Sequence, residues 1–526
     1  MRLAAAFVLA LAASVAFPQR VLLVPLDNRP AAGQFAQMIG AIAGAEVRLP
    51  PYDSLGQFTR PGSPAQVLSW LEGQDYSHVS AVVVSTDMIA YGGLIASRTN
   101  MTSYAEAITR LNLLADIRRK HPEVKFFAFS AVTRVLPTAT HAAAPWRLQL
   151  GKYVELREAA LGGRGAEVTR ELDRLRAHIP QAEILRYDHM RARNLNVQLE
   201  LVRMTADGTF DYLMLGQDDA SPVGPHIRET EQLHRDVDDR GIQSKVYFCE
   251  GIDQQSNVLV SRALLREAGF VPYVKVVYSD EDGKKVYASF EAQPLERSVE
   301  DQLFASGARP ADPNGPYDYA LYLNTPNPRP DRFAQFTRAL QADIDRGVPV
   351  AVADVNLSSR VAADPKLVDA LSENRRLPKL LSYAGWNTAG NTVGTSIPAA
   401  NMAVLGRRDS VGTLQKELAR EEFLLHRLVN DYAYHRFTRP MAYALIANLG
   451  TSGREEIYGD TYATVSSFVR RDLKAYLERY FQEQFEGESV VADGKTSTVE
   501  ALDREIIWLP WPRAYEVRLE FHMLTR

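Results

Sequence analysis

Asp218 and Asp219 stand side by side after Gln217, which directly follows the apolar run YLMLG at 212–216. Neighbouring side chains on a regular strand point to opposite faces, so two adjacent carboxylates share a site only where the strand is ending. Gly216 permits such a turn. Carboxylates held close split their pKa values, because like charges disfavour joint ionisation. One can then stay protonated as a general acid while the other polarises a substrate amide or holds a positive charge. An adjacent Asp pair at a strand end also occurs in barrel glycosidases that use the substrate's own acetamido group as nucleophile, a likeness of pattern only. Asp219 or Ser221 is equally placed to cap a helix opening near Pro225.

Similar polar clusters close seven other apolar runs. Asp27, Asn28 and Arg29 follow VLLVPL, and Asp87 follows AVVVST, with Tyr91 leading into two glycines. Arg134 follows FFAFSAVT, Glu250 and Asp253 lie in VYFCEGID, Asn324 ends ALYLN and Asp354 ends VAVAD. Trp386, Asn387 and Asn391 follow LLSYAG. Arginine presents a planar fork to a carboxylate or to sugar hydroxyls. The side-chain amides of Gln217, Asn387 and Asn391 donate and accept at once, and the faces of Trp386 and Tyr91 suit a sugar ring. Glu250 supplies a third carboxylate for acid–base or nucleophilic work. Each residue also has a plain structural use: a salt bridge for Arg134 or Asp253, a core position for Trp386, a helix start for Asn391.

This chemistry needs no cofactor, although Asp27, Asp87, Asp218 and Asp354 leave open an oxygen-donor site for a divalent metal. The histidines at 141, 189, 226 and 234 lack the close pairing of a zinc site. No G-x-G-x-x-G, P-loop, G-x-S-x-G or H-E-x-x-H motif occurs.

The eight apolar runs are nearly continuous, as in strands buried on both faces of a parallel sheet covered by helices. Ligands bind outside the carboxyl ends of such strands. Segments with helical spacing alternate with the runs, so the expected fold is α/β with a mainly parallel sheet. A (β/α) barrel-like closure is favoured over two doubly wound halves joined near 270–318. An α/β catalytic domain is expected over 17–405, with a hairpin insertion at about 273–290, where VKVVYSD and KKVYASF flank an Asp-Gly turn. A Pro-, Gly- and Asp-rich loop is expected at about 307–317. Residues 406–526 read as an appended helical or α+β region, with amphipathic helices near 412–434 and 461–485 and a terminal strand.

The 526 residues are 46% hydrophobic and 24% charged, with a net charge of -4, so no basic field favours nucleic acid. Arg2, the apolar stretch to Ala13 and the small residues at 14–16 form a signal peptide pattern over 1–16. It is short for a membrane span, so no stable membrane insertion is expected after cleavage, and export to the periplasm or beyond follows. Cys249 is the only cysteine, which excludes an intrachain disulfide. Its apolar setting suits a buried, inert thiol better than a nucleophile.

Four segments, VPLDNRP at 24–30, STDMIAYGGLIASR at 85–98, GQDDASPVGPH at 216–226 and GWNTAGNTVGT at 385–395, resemble a bacterial family catalogued as domain of unknown function 4127. The resemblance implies no activity; it implies that the four segments form one module. The residues themselves suggest an exported carbohydrate-active hydrolase, a glycosidase acting on a small-molecule or glycan substrate with amide or carboxylate substituents. Asp218, Asp219 and Glu250 would be its catalytic groups. A metal-dependent hydrolase of amide or phosphate esters and a non-catalytic glycan-binding protein are the alternatives, and the oligomeric state is left open.

Overall fold

All eight apolar runs are parallel strands, but they are divided between two open sheets. A computed structural model describes residues 19–526 except 164, 359–360, 451–453, 455 and 493, and the expected signal peptide at 1–16 lies outside the described residues. The first sheet holds β1 (Arg20–Val24), β2 (Glu46–Arg48), β3 (Val79–Ser85), β4 (Lys125–Val132), β5 (Tyr212–Gln217) and β6 (Val246–Glu250), in the order β2-β1-β3-β4-β5-β6. The second holds β7 (Tyr273–Tyr278), β8 (Arg309–Pro310), β9 (Tyr319–Asn324), β10 (Val350–Asp354) and β11 (Ser382–Ala384), in the order β11-β10-β9-β7-β8. Numbered within its own half, each sheet runs 2-1-3-4-5, and the first adds a sixth strand.

Neither sheet closes, so the barrel-like expectation is corrected: the topology is that of two doubly wound halves. Burial of both strand faces is common to barrels and to covered open sheets, which is why the apolar runs alone did not separate them. In β1, Val21 and Leu23 enter one core while Leu22 and Val24 enter another, and all four are fully buried. The first of these cores is a layer of helices shared by the two sheets. Helices Gln34–Ile42, Gln255–Glu267, Leu295–Ser306 and Ala389–Arg408 contribute to it, together with Val83 and Phe129 from one sheet and Leu321 and Ala353 from the other. Burial on this scale, at about 25 cal/mol per Å² of apolar surface, fixes the two halves against each other.

The expected hairpin at 273–290 is not formed. β7 pairs in parallel with β8 and β9, and Gly283–Lys285 is a single 3-10 turn. The alternation at Val274, Val276 and Tyr278 reflects a strand near a sheet edge, with one face less covered than the other. The helices expected near 412–434 and 461–485 begin as Thr413–Arg427 and Gly459–Tyr480, and both continue as π-helical turns.

The chain ends in an antiparallel sheet of β12 (Ser489–Ala492), β13 (Lys495–Trp508) and β14 (Arg518–Thr525). Its apolar residues, among them Val499, Leu519 and Phe521, share a core with Tyr322, Val352 and Tyr383 on the outer face of the second sheet. The β13–β14 connection then reaches the end of β1, where Trp511 Nε1 donates to Asn28 Oδ1 at 2.7 Å.

Candidate functional site

The carboxyl ends of β1, β4, β5 and β6 surround a cleft of about 440 Å³. In open α/β sheets this edge, where the strand order reverses, is the usual ligand position. Arg29 enters the cleft from the turn after β1, Arg98 from the segment after β3 and Arg134 from the turn after β4. Gln217, Asp218 and Asp219 come from the end of β5, and Asp253 from the turn after β6. Asn387 and Asn391 extend the wall from the start of helix Ala389–Arg408, which Thr388 caps by accepting from Asn391 N–H. Arg513 and Tyr515 close it from the β13–β14 connection.

Asp218, Asp219 and Asp253 are each paired with an arginine of the cleft. Arg98 pairs with Asp218 in a contact almost wholly removed from solvent, the side chains being 7% and 4% exposed. The other Asp218 oxygen accepts from Asp219 N–H at 2.9 Å. Arg134 Nη1 donates to Asp219 at 2.7 Å, and the Asp219 side chain is 38% exposed. Burial raises the Asp219 carboxyl above the ordinary Asp range, Arg134 opposes that shift, and the nearby Asp218 adds to it. Burial likewise lowers Arg98 to about 10, with Asp218 acting against the shift.

Arg29 is gripped from two sides. Its Nε and Nη2 donate to Asp27 at 2.8–3.0 Å, and its two terminal nitrogens donate to Asp253 at 2.8 and 3.2 Å. Its guanidinium lies 4.8 Å from the centre of the Trp511 ring. A planar fork suits this double clamp, but it leaves at most one N–H of Arg29 for a ligand. The asparagines are also engaged: Asn387 donates to Asn391 at 2.5 Å and accepts from the Tyr515 hydroxyl at 2.7 Å.

The loop carrying the Asp pair is fixed from behind. His226 Nε2 lies 3.0 Å from the Ser221 carbonyl, and since a carbonyl only accepts, that nitrogen carries the proton. Burial lowers the His226 pKa to about 4, so the ring is neutral. Gly216 serves close packing: a Cβ there would lie 2.6 Å from the Gly251 carbonyl.

Several sequence candidates lie elsewhere. Glu250 ends β6 but faces a different cavity, so it does not join Asp218 and Asp219 in one catalytic group. Asp87 is buried and accepts from Ala131 N–H at 2.9 Å, and burial raises its carboxyl to about 6. Tyr91 is buried with the Arg193 guanidinium 4.5 Å from its ring centre. Trp386 packs edge-on to Phe35 and donates to the Thr395 hydroxyl, which makes it a core residue without a free face for sugar. Asn324 and Asp354 lie at the end of the second sheet, where Asn324 donates to Asp354 at 2.9 Å, because the eight strand ends belong to two sheets. Asp27 and Asn28 back the cleft through Arg29 and Trp511. Cys249 is buried, and burial pushes its thiol up.

Among the described residues no three His, Cys, Asp or Glu side chains gather where they could hold one ion. The four aspartates that had left a metal site open are dispersed: Asp27 binds Arg29, Asp218 binds Arg98, and Asp87 and Asp354 lie apart from the cleft.

Arg98, Arg147, Phe290, Arg513 and Tyr515 line the cleft without having been singled out in the sequence. Arg98 ends the segment STDMIAYGGLIASR, which was its only signal. Phe290 is half exposed and has a φ of 69°, a left-handed backbone rare for a bulky residue. Its carbonyl accepts from Ala220 N–H at 2.8 Å, which ties it to the Asp loop.

The chain belongs to the family described as protein of unknown function, domain of unknown function 4127, whose model matches residues 21–520. No curated relative matches the sequence. Among solved structures, one similarity is to a pyruvate carboxylase variant from Rhizobium etli with the allosteric activator acetyl coenzyme A. Identity is 10%, with 97% of this chain and 50% of that chain covered, and the TM-score is 0.18. The chain thus spans about half the length of that one, and a score this low carries no argument.

Proposed function

We propose that this member of the domain of unknown function 4127 family hydrolyses a glycan carrying carboxylate or amide substituents, at the cleft over the first sheet. One observation carries this: Asp218 and Asp219 share the cleft wall, each beside its own arginine, yet one is sealed and the other accessible. Asp219 has the access and the raised carboxyl pKa of a general acid. It would give its proton to the glycosidic oxygen as the bond to the anomeric carbon breaks. Water, directly or after the substrate's acetamido oxygen has first closed on that carbon and is then displaced, would form the final bond there and return a proton to Asp219. Asp218, through Arg98 and the Asp219 N–H, would hold the acid in place. Arg134, Arg147 and Arg513 surround the space a substrate carboxylate would take, and Phe290 offers a half-exposed ring face.

The test is turnover of chromogenic glycosides, uronides and N-acetylhexosaminides included, by the mature protein with and without a chelator. Chelator-resistant turnover that is lost in Asp219→Asn supports the proposal. Turnover that needs a divalent ion would instead support metal-dependent hydrolysis, and saturable glycan binding without turnover would support a binding protein. The exported location inferred from the leader is part of the proposal and is checked by cell fractionation. Among the described residues no helix is long and apolar enough to cross a membrane.

A further inference from the structure

Outside the cleft, helices Pro225–Asp239 and Leu295–Ser306 flank the edge strand β6 and leave a second cavity of about 510 Å³. Its floor carries Glu250, which is 4% exposed. Glu250 Oε1 accepts from Ala292 N–H at 3.0 Å, but Oε2 is buried with no hydrogen-bond partner among the described residues. A buried carboxyl oxygen left unsatisfied costs stability; a charged N–H donor reaching Oε2 would satisfy it and draw off the proton that burial otherwise keeps on Glu250.

The surroundings define that donor. Glu231, Asp238 and Asp301 line the same cavity, and among the described residues Arg297 is its only lysine or arginine. Arg297 is itself taken up by Asp301 at 3.1 Å and Glu300 at 3.4 Å. Behind Glu250 lies Glu291, whose own oxygens accept from Gly390 N–H and the Ser298 hydroxyl. The local field therefore favours a cation. Tyr247, Phe248 and Phe304 supply aromatic walls, one Phe248 face being stacked on His234 and Phe304 lying 4.7 Å from the Arg309 guanidinium; such walls suit the alkyl part of an organic cation and offer nothing to a hydrated metal ion. Among the described residues the carboxylates also fail to gather as metal ligands.

We infer that this cavity binds a small organic amine in its ammonium form, with the –NH3+ group donating to Glu250 Oε2 and the alkyl part against Phe248 and Phe304. The site shares only Gln217 with the lining of the cleft and does not depend on any activity there.

Calorimetric titration of the full mature chain with n-butylammonium and with 1,4-diaminobutane tests it, using butan-1-ol as the uncharged control and Mg2+ as the metal control. Saturable binding of an amine is expected, with no binding of butanol. Glu250→Gln should weaken it at least tenfold, since the ion pair with the carboxylate is replaced by a contact to a neutral amide. Asp301→Asn should weaken it several-fold, which keeps the test intact if Glu250→Gln does not fold. Asp219→Asn should leave it unchanged, so failure here and failure of the proposed hydrolase are separable. No amine binding, equal binding by wild type and both variants, or binding of Mg2+ alone would overturn the inference.

Discussion

The Arg98–Asp218 pair lies in the cleft wall with both side chains at or below 7% exposure. Replacing one member strands the other charge in a poorly solvated site, a loss of about 3–5 kcal/mol. Asp218→Asn strands the Arg98 guanidinium, which burial already disfavours. Arg98→Met strands the Asp218 carboxylate with one remaining donor, Asp219 N–H. In the double variant neither charge is buried alone, and the amide oxygen that replaces the carboxylate can still accept from Asp219 N–H. We expect that variant to cost about 1–2 kcal/mol, less than either single change, so the coupling should be about 4 kcal/mol or more. Asp219→Asn serves as the contrast. Its side chain is 38% exposed, and Arg134 keeps the Leu136 and Pro137 carbonyls, so the cost should stay below about 1 kcal/mol. Guanidinium unfolding midpoints of the four chains and of Asp219→Asn provide the cycle. Additivity of the two single changes within about 0.5 kcal/mol would refute the buried pair as described.

Burial raises Glu250 to about 8, with Glu291 as a like-charged neighbour, against an ordinary value of 4.5. The folded chain then holds a proton that the unfolded chain has released, so this stability is full below about pH 4.5 and is lost as pH rises through 8. Glu250→Gln should flatten the fall of melting temperature between pH 5 and 8, and an unchanged slope would count against the shift. Phe290→Gly relieves a left-handed φ of 69° and should stabilise the fold by about 1 kcal/mol while raising KM several-fold on any glycoside turned over. A lower melting temperature, or an unchanged KM, would contradict that pairing of effects. Gly216→Ala presses a methyl group to 2.6 Å from the Gly251 carbonyl and should cost about 2–3 kcal/mol; a melting temperature equal to wild type would show that the Gly251 segment and Gln255 yield easily.

The strands were legible because burial on both faces leaves unbroken apolar text, as in VLLV of β1 and VVVS of β3. Which strands are neighbours was not legible, since Val21 and Leu321 are equally apolar although they line opposite sides of one helical layer. The same limit explains the site. Asp218, Asp219, Arg29, Arg134 and Asp253 were found because each directly follows a strand of one sheet. Asn324 and Asp354 follow strands equally well, but of the other sheet. The sequence offers Trp386 as a binding face, yet residue type alone does not say that Phe35 and Thr395 already occupy it. Arg513 and Tyr515 come from a loop nearly 500 residues from β1, and only the packing of the last sheet brings them to the cleft.

The most direct measurement is turnover of the glycoside panel by wild type and Asp219→Asn, both shown to be folded. Wild-type turnover that resists chelation and falls by at least a hundredfold in the variant is the expected result, the usual scale for loss of a general acid. Equal turnover by both proteins would remove Asp219 from the chemistry and contradict the proposed hydrolase.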